Sequence, residues 1–224
     1  MPTTAELARA RRATRVLFAV LGTLCGAWGA HVPTVRSHYG LDEGQLSLVL
    51  LAGAVGAVSA LFFAGRAVGR LGARRAAAVS ATVLCLALGT VLAYPTVWAL
   101  LPGMLVFGAS MSLFDVAINT EGSELESAGG RAIMSNLHGM FSVGGMAGAA
   151  LVAALLARGV APGRQLGLLC ALLAVVALWA ARGMLARHGG GAEPAGGSDG
   201  GTAHAHFAWP RGLLLVIGLL IFAG

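Results

Sequence analysis

An aspartate, an asparagine and a histidine interrupt two stretches of the sequence that are otherwise apolar. Asp115 and Asn119 are four residues apart and would share one face of a helix, and His138 lies in the next apolar stretch. Ionisable side chains inside a membrane are costly, so they usually face the interior of a helical bundle or a water-filled cavity. A carboxyl and an imidazole placed there can take up a proton on one side of a membrane and release it on the other. We therefore predict that Asp115 and His138 relay protons. The alternative is a buried network of Asp115, Asn119 and His138 that only ties the two helices together.

Small polar residues accompany this pair. Asn119 and Asn136 carry amides that can hydrogen-bond a polar substrate, and Ser135 and Ser142 carry hydroxyls on the same stretch as His138. We predict contacts between these side chains and a solute. The alternative is that they only join helices, as small polar residues often do in membranes.

The first apolar stretch contains a tryptophan and a histidine. Trp28 offers an apolar ring on which a sugar could stack, although a lipid-facing or interhelical tryptophan fits equally well. His31 lies near the outer end of this stretch, and we predict that it contacts a substrate or a proton. An ordinary interfacial histidine is the alternative.

Membrane-spanning helices must position these side chains. Of the 224 residues, 57% are hydrophobic and 11% are charged, which is typical of a membrane protein rather than a water-soluble domain. Six apolar stretches are long enough to cross a hydrocarbon core of ~30 Å. Their approximate cores are residues 16–33, 45–64, 76–93, 97–119, 133–157 and 165–185. A seventh begins near Pro210 and contains about 15 residues, fewer than a crossing needs, so we expect a truncated helix.

The fourth and fifth spans are joined by a short connection, which predicts an antiparallel hairpin. At 1.5 Å per residue, Asp115 would lie about 15 Å and His138 about 10 Å from the nearer ends of their spans. The two side chains are therefore expected to meet across this hairpin.

Three glutamates follow Asp115 at the end of the fourth span. We expect Glu121, Glu124 and Glu126 to form a solvated face or to pair with arginines such as Arg70 or Arg75. Either arrangement would place them outside the apolar part of the helix.

The basic residues indicate the orientation of the chain. All fifteen are arginines, and twelve of them lie at the same ends of the spans as the N-terminus, against Arg36, Arg158 and Arg164 at the other ends. Because arginines near span ends are retained on the cytoplasmic side, we expect a cytoplasmic N-terminus. The net charge of +6 then follows from topology. No basic surface with interleaved aromatic residues points to nucleic acid.

A change of composition separates the last part of the chain. We expect a cytoplasmic N-terminus at residues 1–15, a six-helix bundle at 16–187, a flexible cytoplasmic linker at 188–209 and the start of a seventh helix at 210–224. His204 and His206 in the linker form a weak metal-binding pattern, and a solvated linker is the favoured interpretation. We predict no metal site and no cofactor, and the three cysteines read as small apolar residues.

A run of glycines and arginines joins the second and third spans. It resembles motif A of the major facilitator superfamily, written G-x-x-x-D-R-x-G-R-R-x, and the matching residues are Gly65, Arg70, Gly72, Arg74 and Arg75. Gly69 stands where the family usually has Asp, and Ala73 stands where it often has Arg. The resemblance implies a gating loop, and a loop that only sets orientation is the alternative. Gly65 and Gly69 also predict a close approach of the second helix to a neighbour.

Two further segments resemble the fucose permease-like branch of this superfamily and its poorly characterised bacterial inner-membrane members. They are Phe114-Asp-Val-Ala-Ile-Asn119 and Ser135-Asn-Leu-His-Gly-Met-Phe-Ser142. In the fucose:proton symporter, an acid at the position matching Asp115 takes part in proton-coupled sugar transport, so the resemblance implies that role here. The symporter also has an acid on its first helix, which this chain lacks.

These patterns predict an all-α membrane protein. We expect a six-transmembrane-helix bundle, the N-terminal half of a major facilitator fold, plus a truncated seventh helix. Its expected function is proton-coupled transport of a small polar solute, a sugar or a metabolite, in a bacterial inner membrane, and not catalysis. Its expected partners are the solute, protons, the lipid bilayer and a missing C-terminal half.

Two alternatives differ in class. The first is a non-transporting six-helix bundle that needs a partner half. The second is an intramembrane serine protease, for which Gly108-Ala-Ser110 and His138 are the nearest nucleophile and base.

Overall fold

The structure, a computed structural model, describes residues 2–185. The predicted linker and the start of the seventh helix lie outside the described residues. Within them the chain forms six α-helices, which are α1 (Thr4–Tyr39), α2 (Glu43–Leu71), α3 (Ala73–Gly89), α4 (Val97–Gly129), α5 (Met134–Ala157) and α6 (Pro162–Ala181). Each overlaps one of the six predicted spans, although the third and sixth predicted spans extend four residues past the ends of α3 and α6, and the fifth begins one residue before α5.

Hydropathy and exposure agree with a bundle that lies in lipid. Five of the six helices are long and apolar enough to cross a membrane, and α3, with 17 residues, is the shortest helix described. Large apolar side chains also cover the outside of the bundle, for example Phe62 at 72% and Phe63 at 65% exposure on α2. Such surfaces are stable against hydrocarbon rather than water. The prediction of an all-α membrane protein is confirmed.

The first helix begins well before its apolar part. Thr3 and Glu6 form a reciprocal capping box, in which the Glu6 amide donates to the Thr3 hydroxyl and the Thr3 amide donates to the Glu6 carboxylate. The helix then continues through Pro33 to Tyr39 and ends at Gly40, which takes a φ of 61°. The predicted N-terminal segment 1–15 is thus helical from Thr4 onward.

The glycine and arginine run between α2 and α3 is a sharp corner, not a loop. Helix α2 continues to Leu71 and α3 begins at Ala73, so Gly72 is the one residue between them. Gly72 has a φ of 78°, a conformation that side chains with a Cβ rarely adopt. The predicted loop is wrong because the arginines and alanines around Gly72 favour helix.

Glycines bring α1 and α5 into close contact. A Cβ added to Gly22 would overlap the backbone carbonyl of Phe141, and one added to Gly144 would overlap the carbonyl of Ala19. The two helices therefore pack backbone against backbone, as small residues allow in membranes.

The same kind of contact joins α2 and α4. A Cβ at Gly56 would overlap the carbonyl of Leu105, and one at Gly108 would overlap the carbonyl of Gly53. The closest helix pairs are thus α1 with α5 and α2 with α4. This pattern is symmetric if α1–α3 and α4–α6 are taken as two three-helix repeats.

Two predictions about neighbours on α2, α4 and α5 are wrong. No atom lies within 4 Å of a Cβ added to Gly65 or Gly69, so these glycines mediate no close packing within the described residues. The fourth and fifth helices also barely touch, because α4 packs along α2 and α5 packs along α1. The glycines that decide this pairing lie in the apolar centres of the helices.

Candidate functional site

Asp115 and Asn119 form a hydrogen-bonded pair on α4, as their spacing predicts. The Asn119 side-chain amide donates to the Asp115 carboxylate at 3.0 Å and to the Asp115 backbone carbonyl at 2.9 Å. Asp115 is exposed on the surface of the bundle, and Asn119 is partly exposed. Asp115 lies about 27 Å from the start and about 21 Å from the end of α4, near the middle of the helix.

His138 lies near the start of α5 and is exposed. Its ring packs edge-on against Phe18 of α1, with 5.4 Å between ring centroids and 84° between planes. The imidazole interacts electrostatically with the Asp115 carboxylate, but no hydrogen bond joins the two in the described part of the chain. The two helices do not pack as the predicted α4–α5 hairpin, and α1 contacts both of them instead.

The hydroxyl residues of α5 lie on the same side as His138, but Asn136 does not. Ser142 donates to the His138 backbone carbonyl at 3.2 Å, and Ser135 is exposed. Asn136 is also exposed, yet it is two positions from His138, about 200° around the helix. The name polar face is used below for Asp115, Asn119, Ser135, His138 and Ser142.

A cavity of about 250 Å³ lies beside the polar face, between α1, α2 and α4. Cys25, Trp28 and Met111 are among its lining residues. The Trp28 ring packs against Phe107, with centroids 5.3 Å apart and planes tilted by 50°. The Cys25 thiol lies 3.7 Å from the Met111 sulfur, and Met111 is one helical turn before Asp115 on α4.

His31 does not reach this face. Its side chain is fully buried, and its Nδ1 lies 2.9 Å from the Ala27 carbonyl within α1. The Nε2 atom is also buried and has no hydrogen-bond partner among residues 2–185. An interfacial position for His31 is therefore wrong, because its α1 face packs into the bundle.

Glutamates at the end of α4 have structural contacts. Glu121 is fully buried, and its carboxylate accepts the Leu185 amide at 2.7 Å, which ties α4 to the segment that follows α6. Glu126 accepts the amides of Ile133 and Met134 at the start of α5, at 2.5 and 2.8 Å. The expectation of a solvated face is wrong at Glu121 and incomplete at Glu126.

Replacing Glu126 with alanine is expected to lower the melting temperature of the bundle by a few degrees. The change would leave two amides of the first turn of α5 without their acceptor and would remove a negative charge from a helix N-terminus. Thermal unfolding in detergent measures the effect. Ser127→Ala is a suitable control, since the Ser127 hydroxyl is exposed and bonds only within α4. Equal melting temperatures for the two variants would contradict this role of Glu126.

The motif A-like residues lie around the Gly72 corner. Arg70 is in the last turn of α2, Arg74 and Arg75 are in the first turn of α3, and Gly65 is inside α2. Arg70 and Arg75 are exposed. This position at the arginine-rich end of the bundle is compatible with both the gating and the orienting interpretation.

Neither a serine nucleophile nor a metal centre is assembled within residues 2–185. Ser110 is buried, and its hydroxyl donates to the carbonyls of Val106 and Phe107 at 2.7 and 3.0 Å within its own helix. No group of three His, Cys, Asp or Glu side chains in this part of the chain is arranged to hold a metal ion. The His204 and His206 pair lies outside the described residues.

Part of this site could not be predicted from the sequence. Phe18 and Cys25 read as ordinary apolar residues of the first span, and no local pattern distinguishes them. They approach His138 and Asp115 only because α1 packs against both α5 and α4.

Two transporters and a membrane protein are among the known proteins with sequences similar to this chain. An uncharacterised MFS-type transporter of Yersinia pestis is 36% identical over 209 residues, which is 93% of this chain and 52% of the relative. An uncharacterised transporter of Sinorhizobium fredii is 34% identical over 133 residues, and the membrane protein MosC of Rhizobium meliloti is 33% identical over 131 residues. These alignments cover 59% and 58% of this chain, and 35% and 32% of the two relatives.

The chain spans about half the length of the Yersinia relative and about a third of the other two. No protein-family model matches it, and no solved structure matches it significantly. Similarity to an MFS-type transporter over nearly the whole chain agrees with the membrane-spanning character of the described helices. The chain is therefore similar to an MFS-type membrane transporter over 93% of its length.

Proposed function

We propose that this chain forms one of the two six-helix halves of a proton-coupled transporter for a small polar solute. The observation that supports this most directly is the hydrogen-bonded pair of Asp115 and Asn119, which is exposed near the middle of a membrane helix and interacts with His138. A structural network would instead bury these groups between helices.

Because Asp115 is exposed, we infer that a second protein surface faces it. A carboxylate cannot face hydrocarbon without a large cost, so in the membrane it must border another protein surface or a water-filled cavity. Major facilitator transporters consist of two six-helix halves with a solute site near the bilayer midplane between them. A second half that faces the polar face would enclose such a site.

Roles for individual residues follow from their positions. Asp115 binds and releases the coupling proton, and His138 modulates its charge. Asn119 and Ser142 supply hydrogen-bonding groups to the solute, and Trp28 forms an apolar wall beside them. Asn136 and His31 are not part of this proposed site, because the first lies on another side of α5 and the second is enclosed by the bundle.

Orientation and gating complete the proposal. The arginine-rich end of the bundle is cytoplasmic, since arginines there obey the positive-inside rule in a bacterial inner membrane. The corner at Gly72 places Arg70, Arg74 and Arg75 at this end, where they would contact the second half when the cytoplasmic side closes. The branch resemblance favours a sugar or a related metabolite as the solute.

Vesicle reconstitution tests the proposal. Vesicles that contain a pH-sensitive dye would carry either the protein that includes a second half or residues 1–224 alone, and neutral monosaccharides and small organic acids would be added in turn. A transported solute is expected to change the luminal pH with the two-half protein and not with residues 1–224 alone.

Three outcomes would count against the proposal. Transport by residues 1–224 alone would show that no second half is needed. Uptake of a labelled solute without any change of pH would remove proton coupling. No transport of any solute would favour a purely structural six-helix bundle.

A further inference from the structure

A groove of about 840 Å³ lies at the arginine-rich end of the bundle. None of its described lining residues belongs to the polar face. The groove is formed by the start of α1 and the end of α6. Its lining residues in the described part of the chain include no carboxylate, and they are Arg9, Arg12, Ala13, Arg15, Val16, Trp179, Ala180, Arg182 and Gly183. The name arginine groove is used below for this set.

Tight packing fixes the two helix ends that form the arginine groove. A Cβ added to Gly183 would lie 2.8 Å from the Ala13 Cβ and 3.7 Å from the Arg9 Cγ. The nearest acid on α1, Glu6, is already hydrogen-bonded to Thr3. Four guanidinium groups therefore share one groove with no carboxylate among its described lining residues, and Glu6 lies outside this lining but interacts electrostatically with Arg9. Guanidinium groups in such a cluster bind phosphate oxygens with two parallel hydrogen bonds.

An apolar stripe continues from the arginine groove along α6. Leu168, Leu172, Val175 and Trp179 are spaced by four, three and four residues, so they lie on one face of the helix. All four are between 61% and 67% exposed. The stripe is about 16 Å long at 1.5 Å per residue, which is close to half of a ~30 Å hydrocarbon core.

We propose that the arginine groove binds an anionic phospholipid. The phosphate would lie among Arg9, Arg12 and Arg182, and an acyl chain would follow the stripe from Trp179 towards Leu168. Trp179 is at the junction, where an indole ring suits the boundary between headgroups and hydrocarbon. Basic pockets between helices at a membrane surface bind such headgroups. A soluble phosphate would use the arginines and leave the stripe unexplained.

Quenching of tryptophan fluorescence by brominated lipids tests this binding directly. The full protein would be placed in phosphatidylcholine vesicles that contain a small fraction of phosphatidylglycerol, with bromine on the acyl chains of either one lipid or the other. Brominated phosphatidylglycerol is expected to quench more strongly than an equal amount of brominated phosphatidylcholine. This extra quenching should be absent in Trp179→Phe, because Trp179 lies in the arginine groove.

Two triple variants distinguish a defined lipid-binding site from general attraction of anions by the positive surface. Arg9→Gln/Arg12→Gln/Arg182→Gln is expected to weaken the preference for phosphatidylglycerol about tenfold. Arg66→Gln/Arg70→Gln/Arg75→Gln removes the same charge at the same end of the bundle, outside the arginine groove, and should retain the preference. Monodisperse elution of both variants controls for folding.

Other outcomes would overturn the proposal. Equal losses in the two triple variants would show that the surface attracts anions without a defined site. Displacement of the brominated lipid by millimolar glycerol phosphate would show a soluble phosphate site. Stronger quenching after deletion of residues 189–224 would show that this segment occupies the groove. No preference for phosphatidylglycerol in the unaltered protein would exclude the lipid site.

Discussion

Replacing Asp115 with asparagine is expected to abolish proton-driven accumulation of solute by the protein that carries this chain, while exchange of solute across the membrane continues. The amide is nearly isosteric with the carboxyl and can still bond Asn119, but it cannot bind and release a proton. Exchange requires only that the loaded site alternates between the two sides. The measurement compares accumulation of labelled solute under an imposed pH gradient with counterflow of the same solute without a gradient.

Asp42→Asn is the matched control for this change. Asp42 is exposed and caps the start of α2, and asparagine caps helices as well as aspartate does, so both transport modes should survive. If Asp115→Asn retains accumulation, Asp115 is structural. If it loses both accumulation and exchange while folding normally, Asp115 binds the solute rather than the coupling proton.

Replacing Gly22 with alanine is expected to destabilise the bundle by on the order of 2 kcal/mol. The new methyl group would overlap the Phe141 backbone carbonyl, so α1 and α5 would have to separate. Overpacking of this kind costs about 1–3 kcal/mol, whereas alanine gains at most about 1 kcal/mol over glycine in helix propensity. A thiol-reactive dye can follow thermal unfolding, because Cys85 and Cys170 are each only 3% exposed in the folded bundle.

Gly167→Ala is the control and should have the opposite sign. Gly167 lies inside α6 with no atom within 4 Å of an added Cβ, so the substitution gains helix propensity without a clash. We expect an unchanged or slightly higher melting temperature. A Gly22→Ala bundle that melts no lower than the Gly167→Ala bundle would show that the α1–α5 contact is looser than the structure indicates.

The helices could be predicted from the sequence, but their neighbours could not. Apolar length alone locates the six helices, since a membrane requires about 20 apolar residues per crossing. Pairing depends on which glycines face a partner, and glycine positions are locally indistinguishable. Gly65 and Gly69 have the spacing of a contact motif but pack against no other helix among residues 2–185, whereas Gly53 and Gly56 pack against α4.

The candidate site could also be predicted only in part from the sequence. The spacing of Asp115 and Asn119 predicts their shared face, and the observed hydrogen bond between them agrees. The contact of Phe18 with His138 depends on long-range packing of α1 and has no signal in the sequence. The burial of Glu121 also depends on such packing, because its partner is the backbone amide of Leu185, 64 residues away.

The glycine contacts between α1 and α5 and between α2 and α4 also limit how this bundle can move. Where backbones touch, neither helix can slide or tilt against its partner without overlap of carbonyl and Cα atoms. The α1–α5 and α2–α4 pairs are therefore rigid, and the bundle moves as one rigid body. In the proposed transporter, access to the site would then alternate by rocking of the whole bundle against the proposed second half, with the hinge at the exposed faces of the bundle and not inside it.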